Sequence, residues 1–176
     1  IILAGGKGIR MLSQKAKVLQ ALGGTTMLNH VMTAANKISN KISVVVGFDK
    51  EGVEEEIKKI GINANTFLQK EQIGTADAVK TTLKDIDKNE KILILYGDVP
   101  LIKEKTLKKL CNQESDLSIL TTNLENPTGY GRTLKDKENN VLGIIEEKDA
   151  DSEQKKIKEI FTGILVAKGS VLKKYI

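Results

Sequence analysis

Short apolar runs that stop at a glycine or a polar turn and then give way to helical spacing recur through the first half of this chain, and few architectures accommodate that alternation. Residues 1–3 stop at Ala4-Gly5-Gly6, and residues 42–46 stop at Gly47 ahead of a helix over 51–60 closed by Gly61. Residues 65–68 precede a loop over 69–74 and a helix that begins at Thr75 and carries Ala76, Ala78, Val79 and Leu83. Residues 92–96 form an unbroken apolar run ending at Gly97-Asp98, the pattern of a central strand in a parallel sheet covered on both faces. Between the first two runs, Thr26 is placed to cap a helix whose Met27, Leu28, Val31, Met32 and Ala35 share one face. The expected fold is α/β: a Rossmann-like open, mixed, mainly parallel sheet flanked by helices.

Sheets of this class bind ligands at the carboxyl ends of their strands. Gly5-Gly6, Gln69 and Asp98 each follow directly on an expected strand, so the fold predicts that all three reach the same rim. The first of these segments, Leu3-Ala4-Gly5-Gly6-Lys7-Gly8-Ile9-Arg10-Met11, interleaves glycines with cations. Glycines let the backbone turn sharply and bring several N–H groups to one anion, and Lys7 and Arg10 add positive charge at the rim. The loop is neither of the two common phosphate motifs. Gly8 is followed by Ile9 where a Walker A loop requires lysine, and Met11 or Leu12 stands where a dinucleotide fingerprint requires its third glycine.

Composition narrows the partners. With 176 residues, 40% of them hydrophobic and 29% charged, the chain can form one domain with a substantial core, and no apolar run approaches a membrane span. One cysteine, Cys111, excludes an internal disulfide, suits a reducing cytoplasm and reads as a packed thiol. The net charge of +5 is spread over many lysines, and 3% aromatic residues leave no stacking platform, so nucleic acid is not an expected partner. His30 has no second histidine or cysteine with which to share a metal and belongs on a surface or half-buried position. Both arginines of the chain, Arg10 and Arg132, sit beside glycines, as forked, phosphate-matching cations in turns.

The last third changes character. Residues 117–122 read as a strand, 127–132 as a turn-rich loop and 133–145 as a hairpin turning at Asn139-Asn140, whose antiparallel strands would cover a substrate. A polar helix over 151–158, a strand over 160–167 and a helix after Ser170 complete the expectation. The chain opens inside a strand and closes on an uncapped helix, and so reads as a piece of a longer protein.

Taken together and in order, five segments resemble one family. Leu3-Ala4-Gly5-Gly6-Lys7-Gly8, Gln69-Lys70-Glu71-Gln72-Ile73-Gly74-Thr75-Ala76, Tyr96-Gly97-Asp98-Val99-Pro100-Leu101, Pro127-Thr128-Gly129-Tyr130-Gly131-Arg132 and Glu146-Glu147-Lys148-Asp149-Ala150 look like the N-acetylglucosamine-1-phosphate uridylyltransferases. Within these, the resemblance is to the pyrophosphorylase domain of the bacterial bifunctional enzyme, of nucleotide-diphospho-sugar transferase type. It implies that residues 1–176 are this domain, incomplete at both ends, without the acetyltransferase half built as a β-helix of hexapeptide repeats, through which the parent would assemble as a homotrimer.

The resemblance also implies a reaction. N-acetylglucosamine 1-phosphate and UTP give UDP-N-acetylglucosamine and pyrophosphate, as a cell-envelope precursor step in the cytoplasm, with Mg2+ as cofactor and no covalent enzyme intermediate. Carried over residue by residue, Leu3, Ala4, Gly5 and Gly6 line the uridine pocket, Gln69 meets the uracil edge with a donor and an acceptor, and Gly74 with Thr75 closes the pocket. Arg10 and Lys17 hold the triphosphate and carry catalysis, with Lys7 a lesser cation. Asp98 binds the metal and, with Tyr96 and Gly97, the nucleotide-sugar strip; Gly131 and Glu146 bind the sugar.

Three positions depart from the family pattern. Phe161 stands where the family has an asparagine that hydrogen-bonds the sugar, Ile9 where it has threonine, and Ala16 where it has proline. The family's second metal ligand, also an asparagine, comes from beyond the residues present, so residues 1–176 alone are expected to turn over poorly. Two alternatives follow: from Phe161, a related nucleotidyltransferase using another sugar 1-phosphate; from Phe161 together with the truncated end, a nucleotide-sugar-binding module without catalysis.

Overall fold

In a computed structural model that describes residues 1–8, 11 and 13–176, the chain divides into two compact units, Ile1–Ser118 with Leu165–Ile176, and Ile119–Ile164. Residue order dictates most of the first unit. Strand β1 (Ile2–Leu3) leads through the glycine loop to a 3-10 turn at Lys17–Leu19 and a small hairpin, β2 (Ala21–Leu22) with β3 (Thr25–Thr26), turning at Gly23-Gly24. Helix α1 (Met27–Asn36) starts where expected, because the Thr26 side chain accepts the Asn29 N–H at 3.1 Å. Its Leu28, Val31, Met32 and Ala35 are buried, while His30 is half-buried on the flank with Nε2 2.8 Å from the Leu22 carbonyl oxygen. Strand β4 (Ser43–Val46), helix α2 (Lys50–Ile60) and strand β5 (Asn65–Leu68) follow, and Gly61 ends α2 in a left-handed conformation.

Helix α3 (Thr75–Lys80) is shorter than its apolar spacing predicts, and Leu83 falls instead in a 3-10 turn, Leu83–Asp85. Thr81 and Thr82 each turn a hydroxyl back onto a carbonyl three residues earlier, on Ala78 and Val79, both at 2.7 Å. These bonds compete with the helical ladder and end it. Strand β6 (Lys91–Tyr96) and helix α4 (Glu104–Cys111) come next, and Cys111 is a half-buried free thiol whose pKa burial pushes up.

Within this unit β5, β4, β1 and β6 lie side by side and parallel, with Ile2 between Val44 and Leu95. Antiparallel to β6 runs the Leu165–Lys168 half of a long strand, β10 below, with Leu165 opposite Ile94. The sheet is therefore mixed and mainly parallel, as the alternation of apolar runs required. Ile94 and Ala167 pack on Val79 of α3 and on Leu172 of the final helix. Ile2, Leu95 and Val166, one residue out of phase along their strands, are buried too, so both faces are covered.

The second unit is antiparallel. It takes the end of β7 (Leu117–Asn123), the hairpin β8 (Arg132–Lys135) and β9 (Val141–Ile145), and the first half of β10 (Glu159–Lys168). Arg132 pairs with Ile145 across the hairpin and with Ile160 of β10. Asn139, with φ of 71°, makes the expected turn, and Asp136 gathers the N–H groups of Glu138 and Asn140. The polar helix expected over 151–158 is only a 3-10 turn, Gln154–Lys156: the Asp151 carboxylate takes the N–H groups of Glu153 and Gln154 as a helix cap would, but the stretch has no apolar face to bury that would carry the helix further. Helix α5 (Gly169–Tyr175) closes the chain in the first unit. Among the described residues no helix is long and apolar enough to cross a membrane.

Candidate active site

Three segments that are far apart in sequence leave the sheet of the first unit at the same ends of their strands: the glycine loop after β1, the 69–75 loop after β5, and Tyr96 to Asp98 at the end of β6. Together they enclose a cleft of about 340 Å³. Leu3, Ala4, Gly5, Gly6, Lys17, Gln69, Gly74, Thr75, Tyr96 and Asp98, all singled out in the sequence, line it. So do Gly8, Val18, Gln72 and Ala78, which were not assigned to it.

The base of the cleft is backbone and small side chains. Gly8 adopts φ of 62°, and a Cβ there would lie 2.7 Å from Lys17 Cβ, so only glycine lets the loop turn and the lysine stem run past it. Lys17 is steered from the other side as well. The N–H of its neighbour Ala16 donates to Asp49 Oδ2 at 3.0 Å, and Asp49 is itself in the left-handed region at the start of α2. Sequence reasoning missed Asp49: it stands one residue ahead of α2, but its carboxylate makes no cap bond there and is turned to Ala16 instead. Lys17 Nζ then reaches Asp98 Oδ2 at 2.7 Å.

One wall carries hydrogen-bonding edges. Gln69 is 5% exposed, its N–H extends the ladder to the Val46 carbonyl, and its side-chain NH2 donates to the Gly74 carbonyl at 3.0 Å and to Asp77 Oδ2 at 2.9 Å. The expectation that Gln69 offers a ligand both a donor and an acceptor is therefore corrected: both donors are spent within the protein. Thr75 Oγ1 and the Tyr96 hydroxyl lie 3.1 Å apart. The Gln72 amide rests against Gly47, where a Cβ would come within 3.2 Å of its Nε2. Its signal was a second amide three residues after Gln69 in the same loop.

Two further expectations change. Gly97 does not line the cleft; a Cβ there would stand 2.9 Å from Val18 Cγ1 and 3.2 Å from the Leu3 carbonyl oxygen, so this glycine serves close packing. Arg10 lies outside the described residues. Lys7 is exposed, with its ammonium 5.4 Å from the Phe48 ring centroid.

In the second unit Gly131 and Glu146 are neighbours: a Cβ on Gly131 would approach Glu146 Oε1 to 3.4 Å. The Phe161 N–H donates to the Gly131 carbonyl at 3.0 Å, which brings all three expected sugar-facing positions to one patch. Arg132 is not a free phosphate-binding cation. It is 1% exposed, its Nη1 donates to the Tyr130 carbonyl and its Nη2 to Glu147 Oε2 at 2.6 Å, while Nε has no partner among the described residues. Glu147 also accepts the Gly129 N–H at 3.2 Å. The guanidinium bonded to it holds its carboxyl below the usual range.

No group of three or more His, Cys, Asp or Glu side chains able to hold a metal occurs among the described residues. Asp98 is the one carboxylate among the described lining residues. A single carboxylate fits a hard divalent ion that takes its remaining ligands from substrate phosphates and water.

A family model for the MobA-like NTP transferase domain matches residues 1–153. The chain belongs to this family. By family it is an NTP transferase domain. Its curated relatives include the "Bifunctional protein GlmU" of Ruthia magnifica, 44% identical over 178 residues, and that of Psychrobacter cryohalolentis, 42% identical over 180. The protein of the same name from Buchnera aphidicola is 43% identical over 180 residues. Each alignment takes in all of this chain, and the chain spans 39%, 39% and 38% of those relatives' lengths respectively. The bifunctional enzyme that the sequence motifs resemble is thus what these relatives are named. Among solved structures, a Bacillus anthracis protein assigned as a glucose-1-phosphate thymidylyltransferase superposes with a TM-score of 0.77 at 18% identity, covering 98% of this NTP transferase domain and 72% of its own chain. At that identity the likeness speaks for the fold.

Proposed function

We propose that this domain serves an enzyme that joins UTP to N-acetylglucosamine 1-phosphate, giving UDP-N-acetylglucosamine and pyrophosphate. The observation that carries the reading is the convergence of the glycine loop, Gln69, Thr75 and the Lys17–Asp98 pair on one cleft. The relatives named GlmU and the five ordered motifs support it. In this reading Leu3 to Gly6, Gln69, Gly74 and Thr75 hold the uridine. Lys17 and Arg10 take the triphosphate, and Tyr96 and Asp98 border the nucleotide sugar. Gly131 and Glu146 hold the sugar.

A phosphate oxygen of the sugar phosphate attacks the α-phosphorus; the new P–O bond forms as the bond to the departing pyrophosphate breaks. The chain's residues position the two reactants and neutralise charge, and none forms a covalent bond. Without substrate, Lys17 and Asp98 neutralise each other. An entering triphosphate draws Lys17 onto its α-phosphate oxygens, which releases Asp98 Oδ2. Asp98 would then hold magnesium, which when bound supplies positive charge to the phosphate oxygens. Magnesium dependence, a cytoplasmic location and a trimeric parent belong to this proposal.

The test is isotope exchange in the full-length parent protein. Labelled pyrophosphate should appear in UTP when UDP-N-acetylglucosamine and magnesium are supplied, and EDTA should stop it. No labelled UTP from folded protein would end the reading. Phe161, bonded through its N–H to Gly131, favours a second reading with another sugar; turnover of glucose, glucosamine and N-acetylglucosamine 1-phosphates compared side by side decides between them.

A further inference from the structure

We propose that Asp77 sets which pyrimidine the cleft accepts, by fixing the orientation of the Gln69 amide; the inference rests on the uridine reading above. A side-chain amide has two N–H donors on one side and a carbonyl acceptor on the other, and half a turn about its last bond exchanges them. Gln69 places its NH2 between the Gly74 carbonyl, 3.0 Å away, and Asp77 Oδ2, 2.9 Å away. Both partners only accept, so the turned amide would set its own oxygen against two others. The orientation is chemically dictated, and with 5% exposure Gln69 has no room for solvent to offset a wrong one.

The consequence falls in the cleft. Gln69 Oε1 faces Gly5, where a Cβ would lie 3.1 Å from it, and both residues line the pocket. The side chain therefore presents an acceptor. Uracil carries a hydrogen at N3, which that oxygen can receive; cytosine carries a lone pair at the same atom, which it opposes. Asp77 stands in the first turn of α3, where its negative charge is favourably placed, and it is absent from the cleft lining. It acts through Gln69 and is a positioning residue.

The test compares kcat/KM for UTP and CTP in the full-length parent, with the same sugar phosphate and magnesium concentration. Asp77→Asn keeps the shape but can give as well as receive a hydrogen, so it removes one of the two oxygens that oppose the turned amide and leaves only the Gly74 carbonyl against it. It should lower the UTP-to-CTP ratio by about tenfold, with the CTP value itself rising. Asp77→Ser, equally able to give or receive, should do the same and serves if the first variant folds poorly. Asp77→Glu, which only accepts, should restore the ratio. A rise in CTP use is not what a damaged cleft would yield. An unchanged ratio in folded Asp77→Asn and Asp77→Ser, or equal losses with both nucleotides, overturns the inference and leaves uridylyl transfer standing. Wild-type protein that does not favour UTP overturns both.

Discussion

Lys17 and Asp98 meet at 2.7 Å in the first unit, and Arg132 and Glu147 meet at 2.6 Å in the second. The lengths are nearly equal, but the surroundings are not. The Lys17 and Asp98 side chains remain 36% and 29% exposed, whereas the Arg132 side chain is 2% exposed. Water already solvates the first pair, so its attraction is largely offset and parting the two ions costs little. Arg132 has lost its water and depends on Glu147 and the Tyr130 carbonyl, so removing its partner strands a buried charge. The difference teaches that burial, more than contact distance, decides whether an ion pair is architecture or a reversible contact that a ligand can open.

That contrast can be broken by experiment. Arg132→Ala removes the buried cation and leaves a void, and should lower the unfolding free energy by about 3–5 kcal/mol in urea titration. Unchanged stability would mean that the second pair is no more structural than the first. Lys17→Ala should show the reverse pattern in the parent enzyme: kcat down on the order of 10²-fold, with stability altered by less than about 1 kcal/mol. Equal losses of folding and turnover would erase the distinction.

A pH titration sharpens it further. Because Arg132, and then the Gly129 N–H, hold Glu147 below its ordinary value of 4.5, its contribution to stability is complete above about that pH and drains away as acid reaches the lowered folded value. Tm should therefore fall on acidification below about pH 4.5, and the fall should be shallower in Glu147→Gln. The smallest effect is reserved for a double-mutant cycle on Lys17 and Asp98, whose coupling in urea unfolding should be about 0.5 kcal/mol or less.

Much of the fold was legible because its signals are local. Thr26 caps α1 through the N–H three residues on, Gly61 ends α2, and Asn139 turns the hairpin. The two helices that were read too long failed for reasons that are also local but were overlooked, the hydroxyls of Thr81 and Thr82 in one and the lack of an apolar face in the other. The site was legible as a list of segments, because a parallel sheet gathers strand ends on one rim. Pairings across long stretches of chain were not. Nothing near Arg132 in sequence says that it is buried, and nothing near Gln69 says that Asp77 and Gly74 take both its donors.

By itself the sequence determined which segments become strands, where the glycine loop and Asp98 leave them, and to which family the chain belongs, since these follow from periodicity, turn chemistry and ordered motifs. Only the tertiary structure decided which polar groups are already satisfied by one another. Hydrogen bonds and burial depend on atoms brought within about 3 Å by the fold, and they determine what Gln69, Gly97 and Arg132 have left to offer a ligand.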